Sequence, residues 1–204
     1  DAYARRGKYV YFIEMKDADF GEKVLREASY SAIRSEVEQK FVGKDGAEAS
    51  EKGVRQLVRN VHEAFLKPEF EPRLRGFKDR NLLVYPIIVY TDFNFSLPKV
   101  NQDLLVAYEG LQKRMTRPLT MISIDYLFRN MHHLRNSGLR EVIDRYHKGR
   151  VKKLEKYNRT MELIDALAAF SPFEEICKFD GLPSYQADQS FVREFFHSME
   201  LDEG

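Results

Sequence analysis

Two carboxylates and a lysine, Asp1, Glu14 and Lys16, are the residues of this chain best placed by type and spacing to do chemistry. In an extended strand alternate side chains share a face, so Glu14 and Lys16 project together, on the side of Val10 and Phe12. A carboxylate and an ammonium at the end of an apolar strand are costly in a sheet interior. They make sense at a sheet edge that opens into a cleft. Asp1 lies thirteen positions before Glu14, with Arg6-Gly7-Lys8 between them as a turn, so a hairpin brings Asp1 back beside Glu14. Two carboxylates and a lysine that converge in this way can hold Mg²⁺ (or Mn²⁺), which favours hard oxygen ligands, and present it to a phosphate.

The elements that must position these residues follow from the hydrophobic pattern. Lys8 to Lys16 (KYVYFIEMK) is rich in β-branched and aromatic residues and reads as the second arm of the hairpin. Residues 22–40 carry mixed charges and spaced apolar residues, a helical or irregular surface excursion. Residues 51–66 read as a helix, with Val54, Leu57, Val58, Val61 and Phe65 on one face, Ser50 as N-cap and Pro68 as the stop. Residues 82–91 (LLVYPIIVYT) form a continuous apolar run that suits a strand buried on both faces, with Pro86 requiring a bulge or an edge. A helix over 100–114 and a short buried strand over 119–124 follow. Beyond 125 only helical periods occur, over about 125–135, 138–169 and 189–199. The order strand, helix, strand, helix, strand and then helices is an α/β sheet with a helical C-terminal extension.

With its D-x12-E-x-K spacing, Asp1…Glu14-Met15-Lys16, and a following helix that opens with KGVRQL, the sequence resembles the PD-(D/E)XK nuclease superfamily. The resemblance implies a restriction-endonuclease-like mixed sheet flanked by helices over residues 1–125, with a helical extension over 126–204. It implies that the first helix and strand of that core are missing before Asp1. It further implies a metal-dependent nuclease in which Asp1 and Glu14 ligate the metal and Lys16 stabilises charge on the scissile phosphate. Gln56 matches the position from which some branches bring a side chain near the metal, with Lys52 one turn earlier on the same polar stripe. A second acid-x-Lys triplet, Glu38-Gln39-Lys40, falls in a helical region, which separates its two side chains.

Charge along the chain supplies a rival reading. Overall the signs nearly cancel, 33 basic residues against 32 acidic, but residues 129–159 hold ten bases and three acids, while residues 160–204 hold ten acids and two bases. Arg145, Lys148, Lys152, Lys156 and Arg159 recur at spacings of three and four, one cationic ridge able to neutralise phosphates without reading sequence. The alternative to catalysis is therefore a nuclease-fold module that binds nucleic acid, or a protein partner, through the basic helix and the acidic C-terminal segment. A blander account has these two halves attract each other.

Several classes are excluded or disfavoured. A single cysteine, Cys177, rules out a disulfide scaffold and a thiolate zinc site and reads as a buried inert thiol. Adjacent His132 and His133 point about 100° apart on a helix and cannot share a metal. His62, His147 and His197 lack partners at metal spacing, and Asp92 with Asn94 reads as loop capping. Neither a dinucleotide fingerprint nor a phosphate-binding P-loop occurs. With no apolar run of membrane-spanning length, the expectation is a soluble cytoplasmic protein with no membrane partner. Its expected partner is nucleic acid, DNA first, within a homo-oligomer or a larger parent protein.

Overall fold

The computed structural model describes residues 2–27, 29–43, 52–66 and 82–178. Strands β1 (Ala2–Arg6) and β2 (Tyr9–Lys16) form the expected hairpin, with Gly7 at φ +60° in its turn, a backbone region that glycine enters without steric cost. The excursion after β2 is helical: α1 (Glu22–Glu27), α2 (Tyr30–Val37) and a π-helical turn (Glu38–Val42). Lys40 in that turn pairs with Glu36 at 2.9 Å, so the second acid-x-Lys triplet makes no site of its own. Helix α3 (Val54–Leu66) leads to β3 (Leu83–Tyr90), and α4 (Val100–Leu111) leads to β4 (Thr120–Ser123). Each falls within the range its pattern predicts. Ser50, Pro68 and residues 189–199 lie outside the described residues.

The four strands make one mixed sheet in the order β1-β2-β3-β4, antiparallel between β1 and β2 and parallel thereafter. Parallel neighbours cannot be joined by a tight turn, and here α3 and α4 bridge them. Pro86 sits in β3, which has neighbours on both sides, rather than at an edge or bulge. Leu83 donates to Lys8 toward β2, whereas Val84 accepts from Arg117 on the β4 side. Backbone direction alternates along a strand, so the nitrogen of Pro86 also faces β4, whose ladder begins only at Ile87. The missing donor therefore falls where no rung is due.

One face of the sheet, with Val10, Phe12, Val84, Ile88, Tyr90 and Met121, is covered by α3, α4 and aromatic residues of the excursion and loops. Val54, Leu57, Val58 and Val61 of α3 are buried there, and Phe65 packs at the margin. The opposite face, with Tyr85, Ile87, Val89 and Ile122, is covered by the segment read as a C-terminal extension. That segment comprises α5 (Ile124–Arg129), α6 (Met131–Ser137), α7 (Leu139–Thr160), α8 (Leu163–Ala169) and α9 (Phe173–Ile176). Val142, Ile143 and Tyr146 of α7, with Phe173 and Cys177, complete this second core. No helix among the described residues is long and apolar enough to cross a membrane.

His147 ties α7 to β4. Its Nε2 lies 2.9 Å from Thr120 Oγ1, and burial, reinforced by Arg150 and Arg117, pushes the ring down to about 3 from an ordinary 6.5. The folded state thus disfavours the protonated ring. Its contribution to stability is present above pH 6.5 and is lost as pH falls through 6.5 toward 3. The shift corresponds to at most about 5 kcal/mol. Urea unfolding followed from pH 7 to pH 4 should show this loss, and His147→Gln, which cannot titrate, should flatten the slope. Equal slopes in the two proteins would refute it.

Candidate active site

Glu14 and Lys16 lie at the C-terminal end of β2, on the face of Val10 and Phe12 as the alternation requires. Glu14 is only 2% exposed, yet its partners are few. Oε1 lies 3.4 Å from Lys16 Nζ, while Oε2 is buried without a hydrogen-bond partner among the described residues. Burial pushes the carboxyl above its ordinary value, opposed chiefly by the Lys16 ammonium. A buried acid left half-satisfied is expensive, and such groups call for a functional explanation.

Gly53 closes the site from the side of α3. It stands at φ +50°, and a Cβ there would lie 2.2 Å from the Phe41 carbonyl oxygen and 3.1 Å from Lys16 Cε. The backbone therefore approaches both the π-helical turn and the lysine stem more closely than any side chain permits. The start of α3 is thereby held against the π-helical turn and the lysine stem.

The predicted site residues divide into three groups. Glu14 and Lys16 are together, facing the start of α3. Gln56 is half-buried in the first turn of that helix, whereas Lys52 is exposed and precedes it. Because Gly53 breaks the helical path, Lys52 does not share a helical stripe with Gln56, a correction to the sequence reading. Asp1 lies outside the described residues; the described ladder ends with Ala2 opposite Ile13.

Arg145, Lys148, Lys152, Lys156 and Arg159 are all exposed on α7 and fall within an arc of about 80° at 100° per residue. Lys156 is engaged by Asp165 at 2.7 Å, and Thr160 donates to the same carboxylate. This one rung of the ridge is paired with the acidic segment that follows, as the mutual-attraction account expects.

Sequence reasoning missed a second carboxylate at the same end of the sheet. In register, Lys16, Tyr90 and Ser123 stand opposite one another across β2, β3 and β4. Glu174 Oε1 accepts from the Ser123 N–H at 2.5 Å and from the Tyr90 hydroxyl at 3.1 Å. Burial raises the pKa of both Glu174 and Tyr90. Nothing local could have signalled this: the partners are 51 and 84 residues away. Asp92 behaves as expected, accepting from the Asn94 N–H and from its side-chain amide, both at 2.9 Å. Cys177 is buried, its thiol pushed up to about 12 by desolvation.

Among the described residues no group of three or more His, Cys, Asp and Glu side chains is arranged to hold a metal ion. Compared with known proteins, the chain matches no family model, no curated protein and no solved structure. The functional reading therefore rests on the site itself. The orphaned Glu14 oxygen is the feature that fits a hard cation, as one carboxylate ligand of an incomplete set.

Proposed function

We propose that this chain is a metal-dependent nuclease domain that hydrolyses phosphodiester bonds of nucleic acid, with DNA as the first substrate to test. The observation that carries this reading is Glu14, a buried carboxylate with one oxygen beside Lys16 and the other without a partner among the described residues. The sheet supports it too. An antiparallel first pair followed by two parallel strands, each reached through a helix, is the arrangement expected for a restriction-endonuclease-like core. Glu14 would hold Mg²⁺ or Mn²⁺, with Asp1 as the expected second ligand. Bound there, the ion would neutralise charge on the phosphate and acidify an attacking water. Lys16 supplies a fixed positive charge for the oxygen on which charge builds in the transition state. Gln56 supplies an amide for orienting water or phosphate, and Lys52 an exposed cation for the strand.

The exposed ridge on α7 favours a second reading, a non-catalytic module that holds nucleic acid through Arg145, Lys148, Lys152 and Lys156. Cleavage of plasmid and single-stranded DNA with Mg²⁺ or Mn²⁺ separates the two. The nuclease reading expects cleavage by the wild type and a loss of about 10- to 100-fold in Lys16→Ala, with metal affinity little changed. Charge reversal at Lys148 and Lys152 should weaken DNA binding and reduce the slope of log K against log salt by about 0.9 for each phosphate no longer neutralised. Metal binding without cleavage, together with weakened binding in the ridge variants, would leave the module reading in its place.

A further inference from the structure

Phe93 is the most exposed aromatic side chain among the described residues, at 74%. It lies just beyond the end of β3, in a 3₁₀ turn over Phe93–Ser96. The residues around it are fixed. Asp92 accepts from the Asn94 N–H at 2.9 Å with one oxygen and from the Phe20 N–H at 3.3 Å with the other. Phe95 is buried against Phe20 and Phe41, with ring centroids 4.4 and 4.6 Å away. Ser96 Oγ lies 2.7 Å from the Tyr90 hydroxyl. A turn anchored on both sides of Phe93 holds the ring out in water and forgoes the gain that burying a phenylalanine brings.

This turn stands beside the Glu14 site. Lys16 and Tyr90 are in register, and the Thr91 N–H donates to the Lys16 carbonyl at 3.2 Å. The Thr91 hydroxyl donates to Asp17 at 2.9 Å. Phe93 is two residues beyond Thr91, a reach of at most about 7 Å. It therefore borders the crevice outside the carboxyl ends of the parallel strands, where open sheets of this kind bind ligands.

We infer that Phe93 is a stacking platform for an unpaired nucleobase of the strand whose phosphate Lys16 faces. This deepens the nuclease reading and rests on it for the position of the phosphate. The surroundings select the ligand. The turn carries acids, Asp92 within it and Asp17 bonded to Thr91 at its start, which disfavour a phosphate over the ring but not a neutral base. Asp92, Asn94 and Thr91 make the neighbourhood polar, whereas docking of a protein favours a contiguous apolar patch. A base offers a flat π-face to an aromatic ring whatever its sequence. In a duplex both faces of a base are covered by its neighbours, so only an unpaired base can cover Phe93. The substrate class is therefore a strand that is single-stranded at this nucleotide.

The chain contains no tryptophan, so Phe93→Trp places a single fluorescent indole at the platform. The test uses the whole chain without divalent metal. Three labelled probes are titrated by fluorescence anisotropy: a short oligothymidylate, the same backbone carrying abasic sites, and a blunt duplex. Phe93 is exposed, so its variants should fold, which circular dichroism checks. Oligothymidylate should bind Phe93→Ala about 10-fold more weakly than the wild type, with affinity restored in Phe93→Trp. The abasic strand and the duplex should not distinguish wild type from Phe93→Ala. Indole fluorescence of Phe93→Trp should be quenched by oligothymidylate and not by the abasic strand. Met115→Ala, an exposed apolar residue in the loop that enters β4 at the other end of the sheet, should bind as the wild type does. Equal affinity of wild type and Phe93→Ala for oligothymidylate overturns the platform. So does an equal loss for the abasic strand, or a wild type that binds no single strand. Cleavage assays with Mg²⁺ separate this from the nuclease reading. Base-dependent binding that needs Phe93, in a wild type that does not cleave, keeps the platform and refutes only the nuclease. Cleavage by the wild type, with Phe93→Ala binding oligothymidylate as tightly, refutes only the platform.

Discussion

Glu14→Gln should remove Mg²⁺-dependent cleavage by at least about 100-fold while leaving a folded protein. The substitution keeps the shape of the side chain and one of its oxygens, but removes the charge that a divalent ion requires. Metal affinity, measured by calorimetry with Mn²⁺, should fall with it. In Lys16→Ala cleavage should slow while the ion still binds. The pattern across the two variants separates a ligand from a charge-stabilising neighbour.

The wild type carries a pH signature of the same carboxylate. Burial raises the Glu14 pKa above its ordinary 4.5, so the proton competes with the metal at a higher pH than for an exposed glutamate. Metal affinity and cleavage should therefore decline on acidification before pH 4.5 is reached. The sign for stability is opposite. The folded state favours neutral Glu14, so its contribution is complete below 4.5 and is lost as pH rises through the raised value. The ionised form that a metal would require is thus the one less favourable for folding. Cleavage in Glu14→Gln at the wild-type rate would remove the metal-site proposal.

Gly53→Ala should be the most destabilising small substitution in the site region. Its Cβ would lie 2.2 Å from the Phe41 carbonyl oxygen and 2.9 Å from the carbonyl carbon, both backbone atoms that cannot rotate away. The residue must also hold φ +50°, which costs a non-glycine residue on the order of 1 kcal/mol before any clash is counted. Together these place the loss at about 3 kcal/mol or more, a fall in melting temperature of roughly 6–12 °C for a chain of this size. Gly110→Ala is the contrasting case. Gly110 is exposed in α4 and a Cβ there meets nothing within 4 Å, so alanine should stabilise by up to about 1 kcal/mol through helix propensity alone. Opposite signs at the two glycines, read by thermal unfolding, test the close approach. A Gly53→Ala protein as stable as the wild type would show that the π-helical turn does not press on the start of α3.

Whatever depends on period and on neighbours in the chain was legible in the residues alone. The two-residue alternation of β2 put Glu14 and Lys16 on the face of Val10 and Phe12. The apolar spacing of α3 marked Val54, Leu57, Val58 and Val61 for burial, and the unbroken apolar run of β3 marked a strand covered on both faces. The five cations of α7 were legible as one exposed ridge for the same reason: helical geometry converts spacing into a face. Tertiary structure decided which distant groups meet. Only the parallel register of β2, β3 and β4 aligns Lys16 with Tyr90 and Ser123, and only the return of the chain at α9 brings Glu174 onto them. Only packing against the π-helical turn makes glycine necessary at position 53, which moves Lys52 off the helix and brings the backbone against the Lys16 stem. Pairing across tens of residues is chosen by how whole faces bury against each other, and no local pattern encodes the partner.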